Sequence, residues 1–182
     1  MIPDLAPPNW DHLPDRVTCL SLHQPFAGLC AAIDPWMPLG SVGLKSLETR
    51  TQAFPKSRPF PAPLVICASH TTNQRAYRAI LPRVPAWARP LIDVRGVAMV
   101  LVEIGGCRPL TAEDESRSWY WDPDEAAKKI TRWAWEIHRA DPLYPFDVKG
   151  MMGFGQTVAK EVFLRSIRQA FEHRMKERRV TA

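Results

Sequence analysis

The sequence lacks paired cysteines, a long apolar run and a signal-peptide pattern, and each absence excludes a class of protein. Its four cysteines are widely separated, without a C-x-x-C motif or a paired Cys/His spacing, which argues against a zinc site. No stretch is long and apolar enough to span a bilayer. The first 20 residues contain three aspartates and no continuous apolar core, unlike a signal peptide. These absences predict a soluble, cytoplasmic protein with no metal, cofactor or membrane contact.

Acidic residues are scarce in one part of the chain and abundant in another. Residues 43–89 contain eight basic side chains against Glu48 alone, a local charge of +7. Residues 103–147 contain ten acidic and six basic side chains, a local charge of −4. Charge segregated in this way predicts that one face binds a polyanion. Ordinary solvated surface is the alternative interpretation.

The length and the proline content predict one domain with appendages. A chain of 182 residues that is 46% hydrophobic can bury one core. Eighteen prolines predict stiff loops and short elements. We expect an extended N-terminal arm over 1–16, a barrel domain over 17–158 and a basic amphipathic helix over 159–182. The apolar residues that predict this helix follow a helical spacing from Thr157 onward.

Hydrophobic periodicity predicts several short strands with short helices between them. The strands are expected at 17–22, 44–51, 64–69, 96–104 and 133–138. Short helices are expected at 25–33 and 72–81. The continuous apolar run 96–104 predicts a central strand that is covered on both faces. This order predicts an α+β fold, a small β-barrel of about five to six mixed strands with flanking short helices and a longer C-terminal helix.

Residues 43–50, with the sequence GLKSLETR, place three charges at fixed spacing in a strand-forming context. On a strand, Glu48 and Arg50 share one face, and Lys45 joins them only if it precedes the strand. Lys45 and Glu48 could form an activating pair, in which a desolvated lysine acts as base or nucleophile. An ion pair that lines a pocket explains the same residues.

Two further segments contain candidate ligand contacts. Ser21, His23 and Gln24 surround a predicted helix start, where unpaired backbone N–H groups favour an anion. Capping of that helix by Gln24 is the alternative. Arg75 and Arg78 of the helix predicted over 72–81 would face solvent and contact a nucleic-acid backbone.

Three aromatic residues, Trp119, Tyr120 and Trp121, form a cluster in a polar stretch. Exposed rings in such a cluster can stack on bases. They can equally plug the end of the barrel, and the sequence leaves both interpretations open.

The motifs taken together resemble the ASCH domain in order and spacing. Five segments contribute to the resemblance: CLSLHQPFAGL at 19–29, GLKSLETR at 43–50, PLVICASH at 63–70, WAWEI at 133–137 and FDVKGMMGFG at 146–155. The family signature G-x-K-x-x-E-x-R is matched in full by Gly43, Lys45, Glu48 and Arg50. The resemblance implies a PUA-like β-barrel with a cleft beside the signature, a fold linked to RNA recognition.

The resemblance also implies what this cleft does. Some relatives look like amidohydrolases of acetylated cytidine and another acts as a ribonuclease. Lys45 matches the catalytic lysine of the amidohydrolases, but Glu48 occupies the position of their threonine. We therefore expect binding of RNA, single-stranded nucleic acid or a modified nucleobase, with RNA a more probable partner than DNA. A nucleotide-directed hydrolase using Lys45 and Glu48 is one alternative, and a protein-interaction module is another.

The expected ligand-binding residues combine the motif residues with a family turn. They are Ser21, His23, Gln24, Lys45, Glu48, Arg50, Lys149 and Gly150. The last two match a family turn near the same opening. Arg75 and Arg78 would contact the backbone of a bound nucleic acid.

Overall fold

The structure is a computed structural model and describes residues 9–38, 40–120, 131–148 and 153–180. The described part of the chain contains one mixed sheet of six strands. The strands are β1 (Arg16–Gln24), β2 (Leu47–Arg50), β3 (Ala62–Thr72), β4 (Val97–Pro109), β5 (Trp133–Asp147) and β6 (Gly153–Ala159). Their order across the sheet is β2-β5-β4-β3-β1-β6. Strands β1 and β3 are parallel, and every other neighbouring pair is antiparallel.

The α+β class with mixed strands is confirmed, but the sheet is open, where the sequence predicted a closed barrel. The short strand β2 and the strand β6 lie at opposite ends of the strand order. Just before β2, the backbone N–H of Ser46 donates to the carbonyl of Arg117 at 3.0 Å. A helical segment thus covers the chain at this edge, so that the edge needs no further strand.

Five α-helices connect or flank the strands of the described chain. They are α1 (Phe26–Ala31), α2 (Gln74–Ile80), α3 (Arg89–Asp93), α4 (Glu115–Ser118) and α5 (Lys160–Val180). Short 3₁₀ turns occur at Leu81–Arg83, Ala86–Ala88 and Ala112–Asp114. Helix α2 starts at an Asn73 cap, whose side-chain oxygen accepts from the N–H of Ala76 at 3.0 Å. No described helix combines the length and the apolar composition needed to cross a membrane.

The long C-terminal helix begins at Lys160, later than the apolar spacing predicted. Thr157 and Val158 belong instead to β6, where they pair with Thr18 and Val17 of β1. Their helical periodicity was misleading because the backbone bonds of a neighbouring strand outweigh a weak local preference. The helix itself still presents an apolar face, on which Phe163 is fully buried.

The sheet buries apolar side chains on both faces. One cluster lies on the side of α1 and includes Ile66, Val102 and Ile104. The other lies on the side of α5 and includes Val65 and Leu101. Neighbouring residues of β3 and β4 thus alternate between the two clusters. The prediction that 96–104 forms a central strand covered on both faces is confirmed.

The residues just before β1 pack onto this second cluster. Trp10 is 1% exposed and Leu13 is 4% exposed. The carbonyl of Asp15 accepts from the N–H of Lys160 at 2.8 Å, which ties this segment to the start of α5. The described part of the predicted N-terminal arm is therefore anchored to the domain, and the domain boundaries themselves stay predictions.

Candidate functional site

The segment 43–50 folds back onto the end of α1 before it enters the sheet. The N–H of Leu44 donates to the carbonyl of Ala32 at 3.0 Å, and that of Lys45 to Leu29 at 3.1 Å. Gly43 lies so close to this helix that an added Cβ would collide with the carbonyl of Cys30. Glycine is required here because two backbones approach each other, and not only because the chain turns. Since β2 begins at Leu47, Lys45 precedes the strand.

Lys45 and Glu48 form a buried ion pair behind the sheet edge. The side chain of Lys45 is 0% exposed, and its Nζ lies 3.5 Å from Glu48 Oε2. The same Nζ donates to the carbonyls of Leu47 and Ser118, each at 2.6 Å. Three acceptors thus surround an ammonium that can donate three hydrogen bonds. Lys45 is fully engaged within the protein.

Arg50 approaches the same carboxylate from the other side. Its Nε lies 3.1 Å from Glu48 Oε1, and its guanidinium carbon lies 5.7 Å from the ring centroid of Trp135. The Nε and Nη2 atoms of Arg50 are buried and have no hydrogen-bond partner among the described residues. The contact with Glu48 is therefore an ion pair without a hydrogen bond. Two cations therefore flank the one carboxylate, and this wall has a net positive charge.

A pocket of about 260 Å³ opens beside Glu48 and Arg50. Its lining combines two cationic groups, one carboxylate, an imidazole, an amide, hydroxyls and two aromatic rings. The lining residues are Ser21, Leu22, His23, Phe26, Glu48, Thr49, Arg50, Asn73, Tyr120 and Arg132. They come from β1, α1, β2, the segment that follows α4 and the residues just before α2 and β5. A pocket of this size and composition suits a small, planar polar ligand.

Two rings and a guanidinium form one group of contacts in the pocket lining. The rings of Phe26 and Tyr120 lie 6.5 Å apart at 67°, an edge-to-face arrangement. The guanidinium of Arg132 lies over the Tyr120 ring at 5.2 Å, and its Nη2 donates to the Tyr120 hydroxyl at 3.3 Å. This group offers aromatic faces next to positive charge, which suits an electron-poor or anionic ring system.

The pocket gathers four of the predicted ligand residues, namely Ser21, His23, Glu48 and Arg50. His23 is exposed, and its Nδ1 lies 2.6 Å from the hydroxyl of Thr71. This contact orients the imidazole through a side chain. His23 is one of the residues that line the pocket.

Two predicted ligand residues, Lys45 and Gln24, lie behind the pocket and are not part of its lining. Gln24 is 0% exposed. Its Nε2 donates to the carbonyls of Leu91 and Val94 at 3.1 and 2.8 Å, and its Oε1 accepts from the N–H of Gly28 at 2.9 Å. These bonds connect β1 with α1 and with the end of α3, so Gln24 holds these elements together.

The remaining predicted residues lie outside the pocket or outside the described chain. Arg75 and Arg78 are exposed on α2, the helix that follows the lining residue Asn73. Lys149 and Gly150 lie outside the described residues. The described chain therefore brings together the hydroxyl, imidazole, carboxylate and guanidinium of the prediction.

Six lining residues were not among the predicted ligand contacts: Leu22, Phe26, Thr49, Asn73, Tyr120 and Arg132. The aromatic cluster 119–121 did signal Tyr120 as a residue that could stack on bases. Thr49 lies inside the signature, and Asn73 carries the signal of a helix cap. Arg132 has no local signal, because only the tertiary fold brings the residue before β5 into the same pocket as residues of β1.

The segment that carries Tyr120 is clamped onto residues 44–46. The indole N–H of Trp119 donates to the carbonyl of Leu44 at 2.8 Å, and Lys45 Nζ holds the carbonyl of Ser118. Trp119 adopts a left-handed backbone with φ 56°, which ends α4 and redirects the chain. These contacts place Tyr120 against the pocket.

Hydrogen bonds to Asp114 hold the start of the segment that carries Tyr120. Arg108 donates two hydrogen bonds of 2.7 Å to the two carboxylate oxygens of Asp114. The N–H of Thr111 donates to Asp114 Oδ2 at 3.0 Å. These bonds, above all those from Arg108, lower the pKa of Asp114 well below its usual range despite its burial.

Replacing Asp114 with asparagine is expected to lower the free energy of unfolding by about 1–3 kcal/mol at pH 7. The loss should lie near the lower limit, because Arg108 is 38% exposed and solvent screens the pair. Since the folded pKa is depressed, the carboxylate contributes its stability above the unfolded pKa of about 3.9 and loses it as the pH falls below that value. Urea unfolding at pH 7 and at pH 3 measures this. A difference between the two proteins that did not shrink at low pH would contradict the assignment.

The chain was compared with known proteins. No protein-family model matches it. No curated protein matches it either.

Solved structures of similar fold come from Zymomonas mobilis. The crystal structure titled ASCH shares 11% identity at a TM-score of 0.47, and the match covers 86% of this chain and 93% of that one. One point mutant of that protein shares 10% identity at a TM-score of 0.46, with 83% and 96% covered. Another shares 12% identity at 0.46, with 86% and 99% covered.

Proposed function

We propose that this chain binds one nucleobase or nucleotide unit, most readily of RNA, in the pocket beside residues 43–50. One observation carries the proposal: Glu48 and Arg50 form a polar wall that lies in the same small pocket as the rings of Phe26 and Tyr120. A base needs both kinds of contact, since its faces are recognised by stacking and its edges by hydrogen bonds.

The polar wall offers an acceptor next to a donor. Glu48 is acceptor-only when ionised, and would accept from an amino or imino N–H of the base. Arg50 would donate to a neighbouring carbonyl or ring nitrogen. Lys45 has no route to the ligand, because its side chain is 0% exposed and its Nζ is occupied by three acceptors. We assign Lys45 to holding Glu48 in place.

The surroundings of the pocket favour a negatively charged ligand. Arg132 lines the pocket, and Arg75 and Arg78 are exposed on α2 directly after the lining residue Asn73. A nucleotide with its base in the pocket could direct its phosphate toward either group. This arrangement supports binding of a nucleotide unit over binding of an uncharged heterocycle.

A titration with nucleosides, 5′-mononucleotides and inorganic phosphate tests the proposal directly. Tyr120→Leu is expected to weaken binding of the preferred mononucleotide by about 1–3 kcal/mol, the contribution of one stacking ring. Isothermal calorimetry measures the affinities. Lys176→Ala is the matched control, because it removes an exposed side chain of α5 that does not line the pocket.

Binding should require the base as well as the phosphate. Affinity equal to that of inorganic phosphate, or an unchanged affinity in Tyr120→Leu, would contradict the proposal. With a short single-stranded RNA, affinity should also fall steeply between about 50 and 200 mM salt. A flat salt response would remove the polyanion from the proposal.

In the alternative hydrolase hypothesis, Glu48 could still contact a substrate in the pocket, whereas Lys45 could not. A general base or nucleophile has to lie within hydrogen-bond reach of the reacting group. Lys45 Nζ instead lies behind Glu48, bonded to two backbone carbonyls. The geometry therefore favours binding over catalysis by the lysine route, and product formation from acylated nucleosides would reverse this conclusion.

A further inference from the structure

An exposed aromatic ring, Phe60, lies on a rigid support in the loop between β2 and β3. Phe60 is 43% exposed. Its ring lies 5.1 Å from that of Phe54, which is 5% exposed and contacts Trp135 edge-to-face at 4.9 Å. The exposed ring is thus the outermost member of an aromatic stack whose inner rings are buried.

The stack leads back to the pocket through Arg50. Trp135 lies 5.7 Å from the guanidinium carbon of Arg50, and Arg50 lines the pocket next to Glu48. Trp135 is also the strand partner of Glu48 in β5. The exposed Phe60 ring and the pocket therefore belong to one continuous series of contacts.

The loop that carries Phe60 has only positive charge. Lys56 and Arg58 precede the ring, and no acidic residue occurs between Glu48 and Asp93. Arg58 Nη1 donates to the hydroxyl of Thr18 in β1 at 2.8 Å, which holds the loop against the sheet. Prolines at 55, 59 and 61 stiffen the loop further. An apolar ring in a rigid loop whose own charges are all positive is complementary to a stacked base with its phosphate.

We propose that Phe60 is a stacking platform for a second base, near the base held in the pocket. The inference rests on the proposed function and names its ligand more closely: single-stranded nucleic acid of several nucleotides, not a free nucleoside. One base enters the pocket, the strand passes Arg50, and a flanking base stacks on Phe60. Lys56, an exposed residue of the same loop, would be the partner of a connecting phosphate. Sequence-independent binding of single strands combines aromatic stacking with a basic track in this way.

The experiment measures affinities for a series of single-stranded RNAs of one to six nucleotides. Affinity should rise at the length at which the strand first reaches Phe60. Phe60→Ala should weaken the longer RNAs by about 5- to 100-fold, the effect of removing one stacking ring, and so lower the ratio of long-strand to mononucleotide affinity. Phe60→Trp should retain that ratio, because it keeps a stacking surface.

Trp87→Ala is the matched control, since Trp87 is a comparably exposed ring, 40% exposed, that lies outside the pocket and outside this aromatic stack. The platform proposal is wrong if Phe60→Ala leaves the ratio of long-strand to mononucleotide affinity unchanged, or if Trp87→Ala lowers that ratio equally. A protein that binds RNAs of every length no better than inorganic phosphate overturns the proposed function itself. Mononucleotide binding with no gain from length overturns the platform alone.

Discussion

Lys45→Met is expected to lower the free energy of unfolding by about 3 kcal/mol or more, the cost of breaking a buried ion pair by removing one partner. Methionine matches the length of lysine, so little of this loss comes from a cavity. It comes from the carbonyls of Leu47 and Ser118, which lose their donor, and from Glu48, which among the described residues keeps Arg50 as its counter-charge. Urea or guanidinium unfolding, followed by circular dichroism, measures the loss.

The double variant Lys45→Met with Glu48→Gln separates the ion pair from its surroundings. It should be less destabilised than the sum of the two single variants, because both remove the same interaction. Lys176→Met is the control for the substitution itself, and its effect should stay within about 0.5 kcal/mol, as at other exposed sites. A Lys45→Met protein as stable as the control would show that the ammonium is not buried between these acceptors.

Trp10→Ala is expected to lower the free energy of unfolding by about 3–5 kcal/mol, the range for deleting a large buried aromatic side chain. The ring is 1% exposed and packs in the cluster that also contains Val17 and Phe163. Its Nε1 donates to Asp141 Oδ2 at 2.8 Å, and the guanidinium of Arg139 lies over the ring at 4.1 Å. The substitution therefore leaves a cavity and removes a donor from a carboxylate that is 0% exposed.

Two further variants separate the contributions to this loss of stability. Trp10→Phe keeps an aromatic ring but removes the donor to Asp141, so it should retain an intermediate stability. Trp87→Ala removes a 40% exposed ring and should cost no more than about 0.5 kcal/mol. Thermal and chemical unfolding of the three variants gives the order. Equal stability of Trp10→Ala and Trp87→Ala would mean that residues 9–15 do not pack onto the sheet.

The central strands could be predicted because their apolar patterns are local and strong. The run 96–104 is apolar at nearly every position, as a strand buried on both faces requires, and β4 occupies it. The boundary between β6 and α5 could not be predicted in the same way. Val158 fits both a helical and a strand pattern, and only its partner Val17 in β1 selects the strand.

Whether the sheet is open or closed could not be predicted from the sequence either. Whether an edge strand pairs with another strand depends on what else can bond with the chain there. At β2 that neighbour is α4, whose residue Arg117 accepts from the N–H of Ser46. No pattern within 44–51 encodes a partner some seventy residues away.

The residues of the candidate site could likewise be predicted only in part. The spacing of Glu48 and Arg50 put both side chains on one face of a strand, and both line the pocket. Lys45 and Gln24 have side chains of the right chemistry, but they point into the protein. Sequence does not report burial, because the same polar residue can donate to a ligand or to a backbone carbonyl.

The sequence by itself determined the α+β class, the buried central strands and a polar motif whose charges converge, since each depends on neighbours in the chain. The tertiary structure alone decided which of those charges face outward. It also brought Tyr120 and Arg132 to the motif and set Phe60 on its aromatic support, since these contacts join segments far apart in the sequence. Local periodicity follows from backbone geometry, whereas a pocket is formed by residues that only folding brings together.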